Sequence, residues 1–232
     1  MLQMLQKLQN QRVHILNLGF ESKWILDSFK ISRPDKIYIV RKKEEEQRAV
    51  EAEGKIKEFA KNSGAEIFFI KFDEEIYALI KKLREIIEKE KENLIYLAIS
   101  SGQRDNVSAF ILSSMLFCNV AKEICLYSLK EGEFITLPHF EVKLPKPEVI
   151  EAIKYIGGKG HCIKRDLRDH MFKNGHLKID KKAKFVGHNE YIKLNRSVLD
   201  SALEWGLTKI DGKRKGSRIR LTEEGEKWFK IF

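Results

Sequence analysis

Four short apolar runs mark the first hundred residues: Arg12–Leu18 (RVHILNL), Lys36–Val40 (KIYIV), Glu66–Phe72 (EIFFIKF) and Leu94–Ile99 (LIYLAI). Near-continuous runs of this length, rich in β-branched and aromatic residues, suit strands covered on both faces. Between them the apolar spacing changes to three and four. Ala49, Ala52, Ile56, Phe59 and Ala60 share one helical face, and so do Ile76, Leu79, Ile80, Leu83, Ile86 and Ile87. Strand and helix in alternation predict right-handed crossovers and an α/β fold with a Rossmann-like, doubly wound, mostly parallel sheet. Glu123–Ser128 and Glu133–Leu137, close together across Lys130-Glu131-Gly132, predict a terminal hairpin.

In such a sheet, ligands sit at the carboxyl ends of the strands, near the point where strand order reverses. Two strand ends carry suitable chemistry. Gly19-Phe20-Glu21-Ser22 follows the first strand, and Ser100-Ser101-Gly102-Gln103-Arg104-Asp105-Asn106 follows the fourth and runs into a helix from Asn106 to about Cys118. A helix N-terminus offers unpaired N–H groups to an anion. The hydroxyls of Ser100 and Ser101 and the guanidinium of Arg104 add donors, which suits a phosphate or nucleotide. The same residues also read as a plain helix start, with Asn106 or Asp105 as N-cap and Arg104 in a surface pair. Neither GxGxxG nor GxxxxGK[ST] occurs, so a dinucleotide fingerprint and a Walker A loop are not expected. The helix NVSAFILSSMLFCN is almost uncharged. Val107, Phe110, Ile111, Met115 and Leu116 form an apolar stripe, with Ala109, Ser113 and Ser114 on the remaining face. The sheet can cover one side and a second subunit the other.

Beyond Leu144-Pro145-Lys146-Pro147 the pattern becomes helical. Pro147–Ile156 predicts a helix ended by Gly157-Gly158, and Ile163–Phe172 a second, ended near Asn174-Gly175. Asn195–Trp205 predicts a third, with Asn195 as N-cap and Gly206 at the C-terminal cap position. The residues from 174 to 194 exceed a tight turn and predict an inserted strand or an extra helical turn. Leu207–Asp211 and Ser217–Leu221 then flank the basic turn Gly212-Lys213-Arg214-Lys215-Gly216, and Thr222-Glu223-Glu224-Gly225 opens a last helix. Three helices followed by a basic hairpin form the winged helix-turn-helix layout. Its third helix enters the major groove and its wing lies on a phosphate strand. Asn195, Arg196, Ser197 and Ser201 on the helix, and Lys213, Arg214, Lys215 and Arg218 on the wing, are the candidate DNA contacts.

Charge sharpens this division. Through Pro145 the chain has 23 Lys/Arg against 22 Asp/Glu; beyond it the counts are 21 and 12, so the short C-terminal part holds nearly all of the net +10. Domains at 1–144 and 145–232 follow, the second with a polyanion such as double-stranded DNA as its expected partner. No apolar run approaches the roughly 18 residues of a membrane span. MLQMLQKLQNQ has neither a basic n-region nor a continuous apolar h-region, so no signal peptide is expected. Cys118, Cys125 and Cys162 lack CxxC spacing, which points to a reducing, cytoplasmic setting. His161, Cys162, His170, His176 and His188 match no common zinc pattern, so no metal is expected. No Ser–His–Asp or Cys–His set can be placed.

The segment ALEWGLTKIDGKRKGSRIRLTEEG, with L–x–x–G–L leading into the wing and LTxxG after it, resembles the winged-helix regulators of archaea and bacteria. A neutral Rossmann-like domain with a Ser-Gly loop after strand four, followed by this segment, is similar to the CRISPR-associated Rossmann-fold (CARF) transcriptional regulators of archaea and to related archaeal two-domain regulators. The loop match is Ser100-Ser101-Gly102-Gln103-Arg104. The family has Thr/Ser-Gly-Gly and a following basic residue there, so Gln103 replaces the second glycine. Gly19–Ser22 occupies the place of the family's other ligand loop. The resemblance implies a homodimer holding a cyclic oligoadenylate, a nucleotide second messenger, between two such domains. It further implies ligand-responsive transcription regulation and no other cofactor. Some CARF proteins cleave their cyclic ligand, and Ser101 and Arg104 could then position a ribose 2′-hydroxyl and its phosphate. A ring nuclease is therefore one alternative, and a DNA-binding dimer without a ligand is another.

Overall fold

The computed structural model describes residues 10–18, 22–42, 47–72, 75–99, 104–130, 133–137, 142–179, 186–212 and 215–232. The chain divides into two compact units, Met1–Lys143 and Leu144–Phe232.

In the first unit, β1 (Arg12–Asn17), β2 (Lys36–Lys42), β3 (Glu66–Phe72), β4 (Leu94–Ala98), β5 (Glu123–Lys130) and β6 (Glu133–Leu137) form one sheet in the order β3-β2-β1-β4-β5-β6. All pairings through β5 are parallel, and β6 returns antiparallel to β5. Helices α1 (Ser22–Ser32), α2 (Gln47–Ser63), α3 (Ile76–Lys89) and α4 (Arg104–Leu116) connect the strands. α1 packs with α2, and α3 with α4. Val13, Ile15 and Leu16 of the central strand β1 are fully buried, as a strand covered on both faces requires.

Two buried polar groups in this unit meet specific partners, Glu90 through its carboxylate and His14 through Nδ1 alone. Glu90, just beyond α3, is 2% exposed. It accepts hydrogen bonds from Tyr38 (2.6 Å), Lys36 (3.1 Å) and Asn93 (2.7 Å). Burial alone would raise its pKa, but these hydrogen bonds and the Lys36 charge hold it below the ordinary value. His14, fully buried in β1, has Nδ1 3.0 Å from the Tyr127 hydroxyl, which lies 3.4 Å from Ser28 Oγ. Its ring stacks on Tyr96 at 4.7 Å and meets Phe29 edge-on at 5.6 Å. Burial, and then the nearby Arg12 charge, lower its pKa to about 3, so this imidazole is neutral.

α4 corrects the sequence reading twice. It begins at Arg104, so Asn106 lies inside the first turn and is not its cap. Its small residues face inward: Ala109, Ser113 and Ser114 are buried beside Phe110, whereas Leu112 is 42% exposed. Val107, Ile111, Met115 and Leu116 are half-buried. Small side chains allow a close approach, so they win the inner face over the branched ones.

The second unit contains α5 (Pro147–Lys159), β7 (His161–Ile163), α6 (Lys164–Lys173), α7 (Val186–Leu194), a π-helical turn (Asn195–Leu199), α8 (Asp200–Glu204), β8 (Thr208–Asp211), β9 (Arg218–Leu221) and α9 (Glu223–Ile231). A small antiparallel sheet runs β7-β9-β8. One core of Val149, Ile153, Ile156, Leu167, Met171, Leu194 and Val198, among others, underlies it.

Two boundaries here differ from expectation. Gly157 and Gly158 do not end α5, which continues to Lys159 and stops at Gly160 with φ 71°. The ring of Phe229 packs where a side chain at residue 157 would lie, only 2.5 Å from a Cβ placed there. The glycine thus serves helix-to-helix contact, not termination. Asn195 is not an N-cap either. Leu194 before it is helical (φ −55°, ψ −46°), and helix continues unbroken from Val186 to Glu204. Tyr191, Leu194, Val198, Leu199 and Ala202 are all buried. That apolar face outweighs the local preference of Asn for a cap.

The LTxxG motif has a clear physical basis. Thr222 caps α9 by accepting from the Gly225 N–H (3.0 Å), and its hydroxyl donates to the Gly206 carbonyl (2.5 Å). A Cβ at residue 225 would sit 2.0 Å from the Leu207 carbonyl oxygen. Glycine therefore lets the first turn of α9 rest against the backbone entering β8.

Candidate functional site

Strand order reverses at β1. From it the chain moves outward through β2 to β3, then crosses back to β4 on the other side of β1. α1 and α4 leave the carboxyl ends of these two neighbouring strands, and a doubly wound sheet opens its ligand crevice there. Leu16 pairs with Ala98, so the two strands end side by side.

The floor of this crevice is polar and tightly held. Asn17, the last residue of β1, is 1% exposed, and its Oδ1 accepts a 3.0 Å hydrogen bond from Nδ2 of Asn106, itself 7% exposed. This pair ties the first turn of α4 to the end of the central strand. The N–H groups of that turn, which a helix leaves without intrahelical partners, are thus held beside the end of β1 with the helix dipole behind them. Ser22 begins α1 on the other flank and is buried. Asn17 is absent from the sequence-derived set. Its signal is a lone amide at the end of an otherwise apolar strand.

Among the other expected ligand contacts, Arg104 is the first residue of α4. Gly19, Phe20, Glu21, Ser100, Ser101, Gly102 and Gln103 lie outside the described residues.

In the second unit, the expected DNA contacts fall into separate groups. Arg196 is exposed; Asn195, Ser197 and Ser201 are half-buried. Since the helix starts at Val186, none of the four stands at its beginning. Asn195 and Arg196 instead line an open cleft of about 420 Å³ with Lys164, Ile192, Leu199, Asp200 and Ile210. Arg218 is exposed on β9, while Lys213 and Arg214 lie outside the described residues. Lys215 is engaged within the unit: its ammonium lies 5.1 Å over the Tyr191 ring, which Arg168 also covers at 4.7 Å. Backbone bonds from Lys164 to Ser217 (2.9 Å) and from Arg165 to Lys215 (3.2 Å) hold the hairpin against the start of α6.

A family model described as HFX_2341_N:-like, N-terminal matches residues 12–130, just over half of the chain. The chain belongs to this family. The match begins with the first residue of β1 and ends with the last of β5, so the family is defined over the parallel sheet and its crossovers. Comparison with the curated proteins found no match. Solved structures similar to this family member include Can2 from Sulfobacillus thermosulfidooxidans in complex with cyclic tetra-adenylate. It is 12% identical with a TM-score of 0.40, over 95% of this chain and 63% of that one. Protein VC1899 from Vibrio cholerae is 10% identical with a TM-score of 0.45, over 95% of this chain and 66% of that one. Enterococcus italicus Csm6 bound to cyclic hexa-2′-fluoro-hexa-dAMP is 12% identical with a TM-score of 0.43, over 84% of this chain and 45% of that one. The chain thus spans less than two thirds of the length of each.

Proposed function

We propose that this chain is a ligand-responsive, DNA-binding transcriptional regulator. Its N-terminal unit, CARF-like and dimeric, senses a cyclic oligoadenylate. Its C-terminal unit is a winged helix-turn-helix that binds double-stranded DNA. The observation that carries the reading is the reversal of strand order at β1 and β4, with the N-terminus of α4 locked over it by Asn17 and Asn106. A fixed helix N-terminus at a switch point is a place for phosphate. The resemblance of the Ser100–Arg104 loop to the CARF loop names the ligand class. The half-exposed outer face of α4, with Val107, Ile111, Leu112 and Met115, supports a second copy as its cover. The excess of 21 basic over 12 acidic residues beyond Pro145 supports DNA as the polyanion.

Calorimetry with a panel of cyclic oligoadenylates tests the sensor. One ligand per two chains is expected. Arg104→Ala should weaken binding by about ten- to a hundredfold, as removal of a charge-assisted hydrogen bond does. Mass spectrometry of the recovered ligand separates a sensor, which returns it intact, from a ring nuclease, which returns linear product. Absence of heat with every cyclic and linear oligonucleotide, from folded and ligand-free protein, would reduce the first unit to a scaffold.

A further inference from the structure

A second chemical cluster lies in the C-terminal unit, away from the basic hairpin. Glu151 on α5, His170 in the last turn of α6 and His176 just beyond it converge, with one donor atom from each lying within 4.8 Å of the others. Nε2 of His170 is 3.5 Å from Glu151 Oε1, and Nε2 of His176 is 3.7 Å from the same oxygen. A tetrahedral centre with bonds of about 2.0–2.1 Å separates its ligand atoms by about 3.4 Å. Small side-chain rotations bring the three atoms to that spacing.

The convergence is built by the chain. α6 ends at Lys173, and Gly175 at φ 76° turns the backbone so that His176 comes beside His170. Leu177 anchors the turn: it is buried, and its N–H bonds to the Met171 carbonyl at 3.0 Å. His170 is held between two rings, stacked on Tyr155 at 4.1 Å and beside His176 at 5.7 Å. Nδ2 of Asn174 lies 3.0 Å from His170 Nδ1, which accepts from it in this orientation. A metal on Nε2 requires the exposed Asn174 amide to turn over, so that its oxygen accepts from the Nδ1 N–H and Nε2 is left unprotonated. His170 Nε2 is buried and makes no hydrogen bond, despite its nearness to Glu151. A buried imidazole nitrogen that faces a carboxylate without a hydrogen bond to it has a ligand's geometry.

We propose that Glu151, His170 and His176 form a zinc site, with the fourth tetrahedral position left to water or an exogenous ligand. Two imidazoles and one carboxylate suit Zn²⁺ among the common divalent ions. The bound ion would join α5 to the end of α6. Sequence spacing does not predict this site, because the third ligand belongs to a different helix.

The test uses the full chain, stripped with a chelator and titrated with Zn²⁺ against a chromophoric competitor. One ion per chain is expected, bound tighter than micromolar, with a rise in Tm. Co²⁺ in its place should give tetrahedral d–d bands without a thiolate charge-transfer band. His176→Ala should abolish uptake and the Tm rise. Since His176 is exposed, that variant should keep its fold, which circular dichroism checks. Asn174→Ala should weaken binding about 10- to 100-fold at unchanged stoichiometry. No uptake at micromolar Zn²⁺, uptake that persists in His176→Ala, or a thiolate band that moves the ion to cysteine would each overturn the proposal.

Discussion

His14 makes the N-terminal unit sensitive to acid in a way that can be isolated. Its imidazole is fully buried, and its pKa is lowered from 6.5 to about 3. The unfolded chain takes up this proton below about pH 6.5, whereas the folded chain resists it until about pH 3. His14 therefore contributes stability above the unfolded value, and that contribution is lost as pH falls through the interval. Where the two states differ by one proton, the slope is about 1.4 kcal/mol per pH unit. The loss is roughly 2 kcal/mol by about pH 5 and approaches 5 kcal/mol when the folded form also protonates. His14→Phe removes the titration and keeps an aromatic ring between Tyr96 and Phe29. It costs the Tyr127 hydroxyl a partner, about 1 kcal/mol at neutral pH, with Ser28 still in reach. Urea melts of both full-length proteins between about pH 7 and pH 4 give the comparison. Other titrating groups cancel in the difference. The wild type should start more stable, fall faster and cross the variant on the acid side. Parallel curves would show that His14 binds its proton equally in both states, and the neutral-imidazole reading would fail.

Gly225→Ala should strongly destabilise the C-terminal unit in thermal melts, since the new methyl would meet the Leu207 carbonyl 2.0 Å away; an unchanged Tm would mean that α9 can move off β8 freely. Glu90→Ala leaves Lys36 and the Tyr38 hydroxyl without their shared acceptor and should cost about 3 kcal/mol in denaturant melts. Burial pushes the Cys162 thiol up to about 11, so alkylation at neutral pH should spare it until the unit unfolds. Replacing Lys213 and Arg214 by alanine should lower the salt slope of DNA binding by about 0.9 for each phosphate no longer neutralised. Lys215→Ala should change the slope less, because that ammonium already lies over Tyr191.

How much of this was legible in the sequence follows from the range of the forces involved. β1 and β2 show as apolar runs because both faces of these inner strands are covered, and the edge strand β3 shows the same pattern although it is only half-buried. β7 does not, since the pairing of His161–Ile163 with β9 leaves no periodicity in so short a stretch. α1 is weakly patterned, although Ile25 and Phe29 are buried at helical spacing. Asn195 shows a local preference overruled by the core: a good capping residue lies mid-helix because Leu194 and Val198 on either side must be buried. Within the crevice, the chemistry of Ser22, Arg104 and Asn106 could be read along the chain. Their link to Asn17 could not, because it joins residues brought together only by the pairing of β1 with β4.

The π-helical turn at Asn195–Leu199 sets the phase of the helix around it. A turn wound this way holds about one residue more than an α-turn, and one residue is about 100° of rotation. The outward face of Val186–Leu194 is therefore offset from that of Asp200–Glu204, and the helix offers two facets instead of one stripe. Loss of a single residue here would restore even winding and swing the first facet by that angle, carrying Leu194 off the core that it shares with Ala202. The turn thus works as a register joint: its extra residue keeps Leu194 and Ala202 in one core while the outward side chains before and after it face different ways.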